Sequence, residues 1–142
     1  MNAPAPRLLI TGSRDWADAD MIFTALRQAW TQLGAHPGTI LVSGNCPTGA
    51  DKIAEDIWEQ RGHIVERHPA DWSKGRSAGP ARNKKMVELG ADLCLAFIGH
   101  CTSPRCKKPQ PHDSHGATGC SKLAAKANIP VREYRPTERT TS

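Results

Sequence analysis

"TILVSGNCPTGADKIAEDIWEQRG", residues 39–62, holds a strand, a turn and a helix in immediate succession. Ile40, Leu41 and Val42 form a continuous aliphatic run. A strand with one wet face would alternate; an unbroken run is covered on both faces. After the polar turn, Ala50, Ile53, Ala54, Ile57 and Trp58 recur at spacings of three and four, so one face of a helix is apolar and Gly62 ends it. A strand buried on both sides that feeds a one-faced helix is half of a parallel crossover unit.

The same unit recurs on either side. Upstream, "RLLITGSR" is a buried strand entering a turn, and "DADMIFTALRQAWTQLG" places Met21, Ile22, Ala25, Leu26, Ala29, Trp30 and Leu33 on one helical face that Gly34 closes. Downstream, "IVERHPA", "DLCLAFIG" and "VREYR" read as strands. "GPARNKKMVELG", with Pro80 at its first position, and "GATGCSKLAAKAN" read as helices. Strand and helix alternate throughout, which predicts an α/β fold: a three-layer, Rossmann-like sandwich around a mostly parallel five-stranded sheet. One domain is expected over residues 7–135, with residues 100–115 as a Cys/His-rich loop insertion. Residues 1–6 and 136–142 are expected to be disordered tails.

Composition narrows the function. A chain of 142 residues suits one core. With two Phe and one Tyr, that core is aliphatic apart from four Trp. No apolar run approaches the roughly 18 residues of a membrane span, and "MNAPAPR" lacks the plan of a secretory signal, so a cytoplasmic protein without membrane contact is expected. Five Cys in a reducing compartment point to metal ligands or free thiols. The net charge of +5 suits an anionic partner, either a phosphate-bearing small molecule or nucleic acid, although it also serves solubility.

Parallel sheets bind ligands beyond the carboxyl ends of their strands, and here the two ends differ. The turns after the strands, "TGSRDW", "SGNCPTGAD", "HPADWSKGRSAGPARN" and "IGHC…SHGATG", are rich in Gly, Ser, Thr, Arg, Asn and Asp. The opposite turns, "LGAHPG", "QRGH", "LGAD" and "ANIP", are plain. In the first rich turn Gly12 allows close approach, and Ser13 and Arg14 can donate to phosphate. In the second, Thr48 and Asp51 fit a capping box. Equally, the helix-start amides of Gly49 and Ala50 can face an anion, with Asp51 as a sugar anchor or general base. In the third, Gly79 and Pro80 open a helix whose first turn holds Arg82 and Asn83. Arg82 shares a face with Met86 and Leu89, which puts its guanidinium at the cleft margin as an anion clamp. "HGATG", residues 115–119, is a second small-residue helix start. Trp16 and Trp72 lie in loops from which they can stack on bases.

Cys101, Cys106, His112 and Cys120 supply three thiols and an imidazole, a donor set for a structural zinc that would pin the long loop. Their spacing matches no common zinc signature. Cys120 also falls on an apolar face with Ala117, Ala124 and Ala127, which fits a buried core thiol. No other cofactor is called for. The chain has no Walker lysine motif, no G-x-S-x-G elbow and no three-glycine dinucleotide fingerprint.

Together "TGSRDW", "TGADKIAEDIWEQRG", "HPADWSKGRSAGPARNKKMVELGADLCLAF" and "HGATGCSKLAAKANIPV" resemble, in order and from about residue 7 to 134, the YspA-type branch of the SLOG superfamily. Lonely Guy phosphoribohydrolases and the DNA-processing protein A are related to that branch. The resemblance implies a Rossmann-like protein that senses or processes a nucleotide-derived ligand. Carried over by position, the ligand contacts are Gly12, Ser13, Arg14, Gly44, Thr48, Gly49, Ala50, Asp51, Gly79, Arg82, Asn83, Gly116 and Ala117. If the ligand is hydrolysed at an N-glycosidic or phosphoester bond, Asp51 and Arg82 are the catalytic candidates. The Lonely Guy P-G-G-x-G-T loop and its downstream Glu are replaced here by "SHGATGCSKLA". Relatives pair, so a homodimer is implied, and the DNA-processing relative leaves nucleic acid as an alternative partner.

Overall fold

The computed structural model describes residues 5–100 and 115–136. Its elements follow in the order β1 (Arg7–Gly12), α1 (Ala19–Gln32), β2 (Ile40–Ser43), α2 (Gly49–Gln60), β3 (Ile64–Arg67), a 3-10 turn (Trp72–Lys74), α3 (Ala78–Leu89), β4 (Leu93–Phe97), α4 (His115–Lys126) and β5 (Val131–Tyr134). All five strands are parallel, in the order β3-β2-β1-β4-β5. The chain builds outward from β1 to β3, then crosses back over β1 to lay down β4 and β5. The reversal lies between β1 and β4, where open α/β sheets form their crevice.

The strands divide their side chains between two cores. Leu8, Ile10, Leu41, Leu93, Leu95 and Phe97 pack with Ile22, Leu26, Ala54 and Trp58 from α1 and α2. Leu9, Val42 and Cys94 point the other way, against Met86 and Val87 of α3 and Cys120 and Ala124 of α4. β4 is buried at all of its positions, as its unbroken "LCLAF" requires. The Asp18 carboxylate accepts from the Met21 amide at 3.0 Å and caps α1, a contribution of about 1 kcal/mol.

Three local expectations change. α3 begins two residues before Pro80, at Ala78; the proline fits inside the first turn because amides there have no intrahelical acceptor to lose. Leu89 is 52 % exposed, so the inward face of α3 runs through Asn83, Met86 and Val87 instead. Trp16 is buried, edge-on to Phe97 with ring centroids 5.4 Å apart, and cannot stack on a base. The 3-10 turn was not evident in the sequence; the Asp71 carboxylate starts it by accepting from the Ser73 amide at 3.2 Å. At the amino end, the Pro6 carbonyl accepts from Ile40 at 2.9 Å.

Candidate functional site

The turns after β1 and β2 are stitched together. The Ser13 carbonyl accepts from the Ala50 and Trp16 amides, each at 3.2 Å. The Thr48 hydroxyl donates to the Arg14 carbonyl at 2.9 Å. Ser13 also ties this pair to β4: its amide donates to the Phe97 carbonyl at 2.9 Å, and its Oγ accepts from the Gly99 amide at 2.7 Å. Glycines make the approach feasible. A Cβ on Gly12 would overlap the Ala50 side chain and press on the Phe97 carbonyl. Gly49 has φ +76° and lies directly against the Ser13 and Arg14 backbone. The capping box therefore does not form. Thr48 makes no side-chain cap bond because its hydroxyl holds Arg14, and the Ala50 amide is taken by Ser13.

Released from capping, Asp51 turns inward with Ala54, Glu55 and Trp58, the buried face of α2. Its Oδ2 accepts from the Cys46 amide at 3.2 Å. Its Oδ1 is buried and has no hydrogen-bond partner. Arg82 arrives from the opposite layer: Nε donates to Asn83 Oδ1 at 2.7 Å, and Nη1 donates to the Gly44 carbonyl and, at 3.4 Å, to the His68 carbonyl. Gly44 lets the two meet, since a Cβ there would lie 2.6 Å from Arg82 Nη1 and 3.1 Å from Asp51 Oδ2. Burial pushes the Asp51 carboxyl up to about 6, against the pull of the Cys46 amide and the Arg82 and Arg14 charges. A cation and a buried carboxylate with one unsatisfied oxygen thus face each other across the carboxyl end of β2.

At the rim, Trp72 is 51 % exposed. The Arg14 guanidinium lies over its ring, 5.1 Å from the centroid. Gly79, buried in the first turn of α3, sits against the indole edge; a Cβ there would be 3.0 Å from Cη2. The structure thus gathers Gly12, Ser13, Arg14, Gly44, Thr48, Gly49, Ala50, Asp51, Gly79, Arg82 and Asn83 at one end of the sheet. Gly116 and Ala117 fall in the first turn of α4.

The proposed metal ligands are divided. Cys101, Cys106 and His112 lie outside the described residues. Cys120 is fully buried in the second core beside Cys94, and desolvation pushes its thiol up to about 11, so it is protonated at neutral pH. Among the described residues no group of three or more His, Cys, Asp or Glu side chains is placed to hold a metal, and no helix is long and apolar enough to cross a membrane.

A second buried carboxylate went unnoticed in the sequence. Glu55 accepts from Ser43 Oγ at 2.6 Å and from Arg67 Nε at 2.7 Å. The signal was available: Glu55 lies one turn after Asp51 and one turn before Trp58, on the face that is otherwise apolar. Beyond it, Arg7 forms a two-pronged pair with Glu66 at 3.0 and 2.7 Å, and Glu66 meets His68 Nε2 at 2.7 Å. These contacts brace β3, and the carbonyl of His68, just past its end, accepts from Arg82.

The chain is 41% identical to the Gene 61 protein of Mycobacterium phage D29 over 137 aligned residues, covering 90% of this chain and 95% of the relative. The family model for YspA, cpYpsA-related SLOG proteins matches residues 6–75, which run from β1 through the 3-10 turn and include the stitched turns and Asp51. With a single parallel α/β sheet and its polar turns gathered at one end, the chain belongs to the YspA, cpYpsA-related SLOG family.

Proposed function

We propose that this cleft binds a nucleotide or nucleotide-derived phosphate ligand, sensing or sequestering it, with Arg82 and Arg14 toward the phosphate and Asp51 toward a sugar hydroxyl. The family is one of nucleotide-related ligand binding or processing. One observation carries the narrower reading: Asp51 Oδ1 is buried without a donor, next to a cation held by backbone carbonyls. An orphaned buried oxygen is costly unless something satisfies it, and a ribose hydroxyl would. The test is calorimetric titration of mononucleotides into the wild-type protein and Arg82→Ala. A charged hydrogen bond is worth about 1.5–3 kcal/mol, so the variant loses roughly ten- to a hundred-fold in affinity. It stays folded, at a cost of about 2–4 kcal/mol for the lost charged bonds to the two carbonyls and Asn83 Oδ1. Unchanged affinity in a folded Arg82→Ala would remove the phosphate clamp from the proposal.

A second reading is hydrolysis of an N-glycosidic or phosphoester bond in the same ligand. It is favoured by the Asp51 carboxyl at about 6, close to the poise of a general base. Release of free base or inorganic phosphate that vanishes in Asp51→Asn supports it; binding without product release supports sequestration. For nucleic acid as partner, buried Trp16 leaves Trp72 as the remaining loop tryptophan for stacking.

A further inference from the structure

We propose that Trp72 is the platform on which the planar base of the ligand stacks, using the indole face that the Arg14 guanidinium covers. This rests on the nucleotide reading above. Trp72 is 51 % exposed, whereas Trp16 and Trp58 are 6 % and 3 % exposed. Ile64 and Leu89 are as exposed, but Trp72 alone of the three lies at the rim of the cleft, with its ring open to a partner.

Its seat is built from both walls of the cleft. The ring edge rests on Gly79 at the start of α3, where any side chain would press on the indole at 3.0 Å. The face is met by Arg14, which comes from the β1–α1 turn on the opposite wall. The covered face is therefore the one turned toward the cleft. A guanidinium is flat and stacks on aromatic rings much as a base does, so Arg14 marks a place that fits a planar group. Arg14 is exposed and its side chain is long, so it can give way to a base and swing toward the phosphate. The second pointer to a ligand is Asp51, at least nine-tenths buried, with Oδ1 unpartnered. Base, sugar and phosphate would then have separate partners: Trp72, Asp51 and the two arginines.

The experiment compares AMP and GMP with ribose 5-phosphate, which lacks the base, on the wild-type protein, Trp72→Phe and Trp72→Ala. Affinity is measured by calorimetry and by quenching of tryptophan emission. Stacking one base on an aromatic ring accounts for roughly ten- to a hundred-fold in affinity. Trp72→Ala is expected to lose about that much for AMP or GMP, Trp72→Phe to recover most of it, and both to bind ribose 5-phosphate as the wild type does. Gly79→Ala, which displaces the ring without removing it, is expected to weaken nucleotide binding alone. If AMP or GMP binds the wild type and Trp72→Ala equally well, the platform is wrong while the nucleotide reading stands. If the wild type binds ribose 5-phosphate as tightly as the nucleotides, the platform is likewise wrong. If none of the three probes binds the wild type, both fall together.

Discussion

Replacing Asp51 by Asn should make the protein more stable at pH 7 and less able to bind. In the folded chain the carboxyl is pushed from its ordinary 3.8 to about 6, chiefly because burial disfavours its charge. At about 1.4 kcal/mol per tenfold change in proton affinity, that displacement is worth up to about 3 kcal/mol. The sign follows from linkage. Because the folded value is the higher one, the group's favourable contribution is complete below pH 3.8 and is lost as pH rises through 6. At neutral pH the folded protein carries a buried charge that the unfolded chain holds more cheaply in water. Asn keeps the shape and an acceptor for the Cys46 amide but cannot ionise. Urea unfolding of both proteins from pH 4 to pH 8 reads the difference directly. The variant should lead by up to about 3 kcal/mol at pH 7, roughly 10 °C in melting temperature for a domain of this size, and the gap should close toward pH 4. A variant less stable than wild type at pH 7, or a gap that ignores pH, would refute the claim that burial governs Asp51. Gained stability with lost affinity is the trade expected of a binding residue kept against the interests of folding.

Other outcomes follow from the same contacts. Gly12→Ala forces a methyl into the Ala50 side chain and the Phe97 carbonyl; urea midpoints should report a loss of about 1–3 kcal/mol or more from overpacking. Glu55→Ala leaves Ser43 Oγ and Arg67 Nε without their acceptor, and should cost about 2–3 kcal/mol by the same measurement, with Glu55→Gln recovering part of it. Glu66 is held down at about 2, first by its hydrogen bond to Arg7. Its stabilisation is complete above pH 4.5 and is lost as pH falls through 2, so Glu66→Gln should flatten the acid limb of the stability curve.

How much of this was legible beforehand depended on the kind of signal. Continuous aliphatic strands such as "LCLAF" and the spacing of Ile22, Leu26 and Ala29 identify elements because burial acts on every residue of a repeat. The gathering of the "TGSR", "TGAD" and "AGPARN" turns followed from parallel topology alone. What each residue does within those turns did not follow. Thr48 and Asp51 satisfied a local capping pattern, yet a carbonyl 34 residues away, on Arg14, took the hydroxyl. Leu89 satisfied a helical spacing but fell beyond the reach of the sheet. Trp16 and Trp72 both sat in loops, and only the position of Phe97 in β4 decided that one is core and the other surface. Spacing along a chain says little about partners that folding brings from other strands.

The stitching of the β1 and β2 turns bears on how the cleft behaves mechanically. Three hydrogen bonds, from the Ala50 amide, the Thr48 hydroxyl and the Gly99 amide, fasten the ends of β1, β2 and β4 into one block. Facing it, the segment from His68 to Ser77 carries a single 3-10 turn and is exposed over Asp71–Ser77. The cleft is thus a vice with one jaw fastened from three strands and one jaw carried on a single exposed segment. The fixed jaw has lost its conformational freedom before any ligand arrives, so docking against it sacrifices little further entropy. The exposed jaw carries Trp72 and is the one whose backbone a bound ligand would newly cover. Amide hydrogen exchange at Ala50 and Gly99 would then be slow with or without ligand, and protection gained on binding would concentrate between Asp71 and Ser77.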